Sequence, residues 1–299
     1  MIDLFNKNED KFFLIAGPCV IESEENTVFI AKTMKDITQK LGIRYIFKAS
    51  FDKANRSSIS SYRGLGMKEG LSILSKIKNE LSLPILTDIH TPEQASAISE
   101  VADIIQIPAF LARQTDLLEA VAVTGKIMNI KKPQFMSAFD MENVVEKCKS
   151  MENNKIMLCE RGTCFGYNAL VVDMTGLYEM SKFGQPVVFD ATHSVQKPGG
   201  NKTSTGGNRE YVRYLSRAAI AVGIDGLFLE VHPDPDNALS DGPNMLPLSQ
   251  VESLLNELIS IHKTSSEINF AVQNYKFHKA NLSEVHNVFC GCDIVVPRF

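Results

Sequence analysis

Residues 85–132 read ILTDIHTPEQASAISEVADIIQIPAFLARQTDLLEAVAVTGKIMNIKK. Three short apolar runs, Ile85–Asp88, Ile104–Ile107 and Ile127–Ile130, are separated by two stretches with helical spacing, Pro92–Val101 and Asp116–Thr124. The runs are nearly continuous rather than alternating, as expected of parallel strands covered on both faces. Thr91-Pro92-Glu93 supplies a helix start, a cap residue followed by proline at the first helical position. Strands alternating with helices in this way imply a parallel sheet.

The alternation continues in both directions. Upstream lie strand candidates Phe12–Ala16 and Tyr45–Lys48 with helical patterns Glu24–Leu41 and Gly66–Leu81. Downstream lie Ile156–Cys159, Val187–Asp190 and Gly226–Glu230, with helices Met141–Met151, Arg209–Val222 and Leu248–Lys263. About eight such units over ~250 residues predict an α/β protein of the (β/α)8 TIM-barrel type. A doubly wound open sheet usually shows fewer units and often a Gly-rich fingerprint after its first strand. AGPCVIES, residues 16–23, is not that fingerprint. The expected barrel domain spans residues 1–264, and residues 265–299 form a C-terminal extension whose role the residues do not disclose.

The 299 residues carry 31 Lys+Arg against 35 Asp+Glu, a net charge of −4, and 44% are hydrophobic. That balance excludes a disordered chain and argues against a nucleic-acid binder, which would carry a basic excess. No run approaches the ~18 apolar residues of a membrane span. The start, MIDLFNKNEDKFFLIAGP, is not a signal peptide. The expected setting is the cytoplasm, with no membrane partner. There Cys19, Cys148, Cys159, Cys164, Cys290 and Cys292 would be reduced thiols or metal ligands. Cys148, Cys159 and Cys164 are expected to pack as apolar residues, and Cys290-Gly-Cys292 alone is a weak metal signal.

In a barrel the chemistry gathers at the carboxyl ends of the strands. Those ends read Cys19; Lys48; Asp88 and His90; Gln106; Lys131 and Lys132; Glu160 and Arg161; Asp190 and His193; Glu230 and His232. A purely structural barrel does not predict a polar residue at nearly every strand end. Lys48, Lys53, Arg56, Lys131 and Arg161 would concentrate positive charge in an acidic protein, making an anion site; taken singly, each is more ordinarily a solvated surface charge. Cys19, His193, Glu230 and Asp241 come from strands one, seven and eight, neighbours once a barrel closes. Together they could hold Zn²⁺, Fe²⁺ or Mn²⁺; separately Cys19 could be a small core residue, His193 a loop cap and Asp241 a turn residue. The loop Gln196–Asn208, QKPGGNKTSTGGN, reads as a mobile lid or as an ordinary surface loop.

AGPCVIES, FKASFDKANRSS, TDIHTPEQA, QIPAFLARQTD, NIKKPQF, ERGTCFGY, VVFDATHSVQ and EVHPDPDNALSDGPN, in that order, resemble the 3-deoxy-D-manno-octulosonate 8-phosphate synthase family over about residues 10 to 263. The resemblance implies a synthase that condenses phosphoenolpyruvate with D-arabinose 5-phosphate and water, releasing phosphate, on the way to lipopolysaccharide. It implies that Lys48, Lys53, Lys131 and Arg161 hold phosphoenolpyruvate, and that Asn55, Arg56 and Ser57 face the aldose phosphate. Asp88 and Gln106 are expected at the substrates and His193 among the catalytic residues. Phe110 and Arg113 are expected to help close a neighbouring subunit's pocket in a homotetramer. Cys19, where the metal-free branch carries Asn, implies the metal-dependent branch, with Cys19, His193, Glu230 and Asp241 as ligands to a divalent ion.

Three rivals remain at this stage. A 3-deoxy-D-arabino-heptulosonate 7-phosphate synthase, using erythrose 4-phosphate, typically has Lys-Pro-Arg-Thr where this chain has Lys53-Ala-Asn-Arg-Ser-Ser. A Schiff-base aldolase would use Lys48 as nucleophile. A non-catalytic sugar-phosphate binder would not need the Cys19 cluster.

Overall fold

A computed structural model describes residues 4–5, 12–200 and 206–277, with side chains described as far as residue 268. Eight parallel strands form the barrel: β1 (Phe13–Gly17), β2 (Tyr45–Lys48), β3 (Ile85–Asp88), β4 (Ile104–Ile107), β5 (Ile127–Lys131), β6 (Ile156–Glu160), β7 (Val187–Asp190) and β8 (Gly226–His232). They pair in chain order, and β1 pairs with β8 from Phe13↔Gly226 to Gly17↔Glu230, which closes the ring. Every residue of these strands is buried, because barrel interior and helices cover the two faces.

The helices are α1 (Glu24–Leu41), α2 (Met67–Leu81), α3 (Ala95–Val101), α4 (Thr115–Ala122), α5 (Met141–Ser150), α6 (Met174–Ser181), α7 (Tyr211–Val222) and α8 (Leu248–Phe277). α1 shows why the boundaries fall where they do. The Ser23 hydroxyl accepts from the Asn26 amide at 3.1 Å, and Gly42 ends the helix at φ 62°, the left-handed cap that glycine adopts without strain. α8 packs against both α7 and α1, completing the helical ring.

Side chains alternate along each strand, and this sorts the core into two. Leu14, Ala16, Phe47, Ile105, Ile107, Leu158 and Leu229 pack outward beneath the helices. Phe13, Ile15, Ile46, Leu86, Ile104, Ile127, Met157, Cys159, Val188 and Phe228 fill the barrel interior, with Leu4 packed among them. Gly17 continues the inward series of β1. A Cβ there would overlap the Lys48 carbonyl, so only glycine lets β1 and β2 pass this closely.

The differences from the sequence reading have local causes. The predicted helix Pro92–Val101 is a 3₁₀ turn, Pro92–Gln94, leading into α3, with a capping box between Thr91 and Gln94. α6 follows an Asp173 side chain that caps the Thr175 amide at 2.9 Å, and its eight residues with an internal Gly176 left too short a period to read. α8 runs past Lys263 to Phe277, since no glycine or proline interrupts residues 248–277. Cys164 is exposed, not packed, because it lies on a short hairpin in which Thr163–Cys164 pairs with Leu170–Val171. Cys290 and Cys292 lie outside the described residues.

Candidate active site

The inward series of each strand is apolar low in the barrel and polar at the top. One or two steps above Ile15, Ile46, Leu86, Ile104, Ile127, Met157, Val188 and Phe228 stand Cys19, Lys48, Asp88, Gln106, Lys131, Arg161, Asp190 and Glu230. All eight are buried. Above them opens a cavity of about 990 Å³, lined by Lys53, Arg56, Asp88, Gln106, Lys131, Arg161, His193 and Asp241 among others. Lys132 and Glu160, on the opposite parity, are strand-end residues that do not line it. They pair with each other at 3.6 Å, behind the wall.

The cationic set is neutralised unevenly. Lys48 donates to the Glu230 carboxylate at 2.7 Å and to the carbonyls of Cys19 and Pro18 at 2.9 and 3.4 Å. Lys131 donates to Asp190 at 2.6 Å and lies 4.3 Å from the Phe228 ring centroid. Lys53 is held more loosely, 3.8 Å from Asp88 and 3.9 Å from Glu230. Burial alone would lower the Lys53 ammonium, but Cys19, Glu230, Asp88 and Asp241 outweigh it and raise it above the usual lysine range. Arg161 bonds Gln196 through Nη2, while its buried Nη1 has no hydrogen-bond partner. An unmatched buried guanidinium nitrogen costs free energy until an acceptor arrives, and an anionic ligand in the cavity would supply one.

A polar chain runs across the opposite wall. Ser50 and Gln106 both donate to the Asp88 carboxylate, and Asn129 donates to the Gln106 carbonyl at 2.8 Å. Asn55, Arg56 and Ser57 line the mouth, where Arg56 donates to Ser240 and lies 3.8 Å from Asp241. Phe110 stands half-exposed on the rim, whereas Arg113 is exposed and outside the cavity lining. Of the loop Gln196–Asn208, residues 201–205 fall outside the described ones; Gln196, Pro198, Gly199, Gly207 and Asn208 line the cavity.

Cys19, His193, Glu230 and Asp241 meet on one side. Ligand atoms of Cys19, Glu230 and Asp241 all lie within 4.8 Å of one another. His193 Nε2 is 3.6 Å from Glu230 and 3.8 Å from Asp241. Its Nδ1 is 2.6 Å from Asp190. A carboxylate on one ring nitrogen fixes the imidazole so that the other is presented to the cluster. Burial, then the carboxylates of Asp241 and Glu230, push the Cys19 thiol far above its ordinary range. Glu230 Oε2 is buried without a hydrogen-bond partner. An orphaned carboxylate oxygen among a thiol, an imidazole and a second carboxylate is a donor set that fits a divalent cation.

Sequence reasoning did not single out Ser50, Asn129, Gln134, Ser240 or Asn244. Gln134 lines the cavity with an unpartnered buried Oε1. Ser240 joins Cys19 Sγ, at 2.8 Å, to Arg56. The parity rule could have found Asn129, two residues below Lys131; Ser240 had no local signal.

A closed parallel barrel with its charged side chains gathered at the carboxyl ends of the strands is the build of a (β/α)8-barrel enzyme. The chain belongs to the DAHP synthetase I family, which matches residues 3–267. It is 58% identical over 253 residues to the 2-dehydro-3-deoxyphosphooctonate aldolase of Fusobacterium nucleatum subsp. nucleatum, covering 85% of this chain and 91% of that protein. It is 55% identical over 265 residues to the protein of the same name from Desulfotalea psychrophila, covering 89% and 95%. The corresponding Syntrophotalea carbinolica protein is 58% identical over 248 residues, covering 83% and 90%.

Proposed function

We propose that the chain is a synthase of lipopolysaccharide precursor biosynthesis, acting in the cytoplasm. It condenses phosphoenolpyruvate with D-arabinose 5-phosphate and water to give 3-deoxy-D-manno-octulosonate 8-phosphate and inorganic phosphate. One observation carries the reading. In a chain 58% identical to a 2-dehydro-3-deoxyphosphooctonate aldolase, Lys53, Arg56, Lys131 and Arg161 line a single cavity beside the Cys19 cluster.

The chemistry forms one C–C bond and one C–O bond, the latter from water, and breaks the C–O bond to phosphate, while the proton released by water balances the one taken up by the aldehyde oxygen. C3 of phosphoenolpyruvate attacks the aldose aldehyde, water adds at C2, and the resulting hemiketal phosphate expels phosphate. Arg161, with its unpartnered Nη1, and Lys53 and Lys131 hold the carboxylate and phosphate of phosphoenolpyruvate, contributing orientation and charge stabilisation. Asn55, Arg56 and Ser57 take the aldose phosphate at the mouth, which places the aldehyde end toward the interior. Cys19, His193, Glu230 and Asp241 would hold a divalent ion, Zn²⁺, Fe²⁺ or Mn²⁺, whose Lewis acidity would orient the aldehyde or activate water.

The Schiff-base alternative is disfavoured by Lys48 itself. An ammonium has three donors, and Lys48 directs them at Glu230 and two carbonyls; a nucleophilic amine would have to leave all three. The heptulosonate alternative is disfavoured by Asn55, in place of the Lys-Pro-Arg-Thr pattern that synthase typically carries. Phe110 and Arg113, exposed on this chain, fit a homo-oligomer, a tetramer by resemblance, in which they complete a neighbouring pocket. Sedimentation of the purified protein tests that assembly.

The deciding assay is phosphate release from phosphoenolpyruvate with arabinose 5-phosphate or erythrose 4-phosphate, each with EDTA and after metal add-back. Turnover with arabinose 5-phosphate alone, lost in EDTA and restored by a divalent ion, is expected. Release with erythrose 4-phosphate alone would transfer the chain to the rival synthase. Full activity without metal would keep the synthase and reduce Cys19 to a structural thiol.

A further inference from the structure

Ser240 and Asp241 sit on the loop that follows β8, which is held partly by its own bonds, the Asp241 carbonyl accepting the Asn244 and Met245 amides at 2.9 and 3.2 Å, and partly from outside. Asp241 has φ 52°, a left-handed conformation that a non-glycine residue keeps only when its surroundings hold it there. The next residue, Gly242, packs so tightly that a Cβ would overlap the Pro235 carbonyl. From outside it is gripped by Arg209, which donates to the Gly242 carbonyl at 2.6 Å and to Asp236 at 2.9 Å, and by a residue more than two hundred positions away in sequence.

Glu22 lies just beyond β1, three residues after Cys19. Its Oε1 accepts the Leu239 amide at 2.9 Å, immediately before Ser240. Its Oε2 lies 3.5 Å from His232 Nε2, at the end of β8 where the loop begins. His232 Nδ1 accepts the Asp234 amide at 3.1 Å, and Asn26 reaches the other ring nitrogen at 3.0 Å. One carboxylate thus touches the loop at its start and again beside its functional residues. Tyr62 donates to the carbonyls of Ile21 and Glu22 at 3.0 and 3.4 Å, and the Tyr62 carbonyl accepts from Arg56 Nε at 3.0 Å. The loops after β1, β2 and β8 therefore converge on this one short segment.

We infer that Glu22 is a positioning residue: by clasping the loop after β8 at its start and again at Leu239 it sets the place of Asp241 and Ser240, and through them the site's hold on a divalent cation and on the aldose phosphate. The inference rests on the function proposed above. Glu22 is outside the cavity lining, so it acts through its neighbours. Its effect has a signature that general loosening lacks. Asp241 and Arg56–Ser240 touch the clasped loop directly, whereas Lys131 on β5 does not, and Arg161, just past β6, reaches it only through Gln196, 3.4 Å from Asp241.

The test uses the intact protein with Co²⁺ alone as the probe, read by the thiolate-to-cobalt absorption of Cys19, beside steady-state kinetics. Glu22→Ala is expected to weaken Co²⁺ binding by about 10–100-fold, the usual scale for losing a group that orients a metal ligand. It should raise the KM for arabinose 5-phosphate by more than that for phosphoenolpyruvate. Glu22→Gln keeps an oxygen for the Leu239 amide and should fall between, and it carries the test if Glu22→Ala does not fold. Glu25→Ala, at an exposed position on α1, should match wild type. Wild-type Co²⁺ affinity with both KM values unchanged in Glu22→Ala would overturn the inference, as would an equal rise in both. A wild-type protein without the thiolate–cobalt band would instead remove the metal reading of Cys19. The clasp would then stand or fall on the aldose KM alone.

Discussion

The lower and upper halves of the barrel interior are built on the same strands, with the same inward parity, and have opposite chemistry. Below, Phe13, Ile15, Ile46, Leu86, Ile104, Ile127 and Phe228 fill the lumen. Above, Lys48, Asp88, Gln106, Lys131, Asp190 and Glu230 are equally buried, yet nearly every one is matched by a charge or a hydrogen bond. The pleat forces this arrangement: each inward position is two residues above the last, so a strand changes from plug to site within one step. The lower half derives its stability from apolar area and shape. The upper half spends part of it keeping charges out of water, a cost repaid only by close pairing.

Substitutions can break that division. Lys131→Met should have the largest effect, since it removes the ammonium paired with buried Asp190 and leaves that carboxylate to His193 and Thr192 alone. A loss of about 3–5 kcal/mol in denaturant melts is expected, together with a raised KM for phosphoenolpyruvate. Ile104→Ala, one layer down on β4, should cost about 2–5 kcal/mol with kinetic constants unaltered; altered constants would show that the halves are not separable. Cys19→Ala should remove bound metal and lower turnover by about 100-fold or more at little cost in stability, checked by metal analysis and thermal melting. Cys19→Asn, by analogy with the metal-free branch, should recover activity without metal, and a folded but inactive protein would refute that. Arg56→Ala should raise the KM for the aldose phosphate roughly 10-fold or more, and an unchanged value would remove Arg56 from that subsite.

The smallest effect concerns acid. Burial would raise the Asp88 carboxyl, but Lys53, Lys48 and His90 outweigh it and hold it well below the usual carboxylate range. A carboxylate depressed in the folded state contributes stability above its unfolded value of 3.8 and loses that contribution as pH falls. Stability followed downward from pH ~6 should therefore decline below about pH 4–5, and Asp88→Asn should make that slope shallower.

The barrel was legible because its strands are uninterrupted apolar runs, and four of them, Tyr45–Lys48, Ile85–Asp88, Ile104–Ile107 and Val187–Asp190, have the expected bounds. α6 was not, because an eight-residue helix containing glycine gives no more than two turns of pattern. The cationic residues and the Cys19 cluster were legible as strand-end residues once a barrel was assumed. Their pairing was not: that Lys48 is spent on Glu230 and Lys131 on Asp190 depends on which strands adjoin across the ring. Ser240 and Glu22 were out of reach for the same reason: Ser240 meets Cys19 and Arg56, 221 and 184 positions away, and Glu22 meets Leu239, 217 positions away. Arg113 reads as part of the site by resemblance alone; its own chain leaves it outside the cavity.

The apolar plug beneath the charged ring turns the cavity into a cul-de-sac. Arg161 and Lys131 are buried at its floor, while Asn55 and Ser57 are exposed at its mouth. Under the proposed assignment, a ligand seated on the floor lies behind the one at the mouth, so phosphoenolpyruvate has to enter first. Aldose phosphate added early would act as a stopper, and excess arabinose 5-phosphate should inhibit competitively with respect to phosphoenolpyruvate. The architecture that closes the barrel from below thus imposes a queue on its substrates.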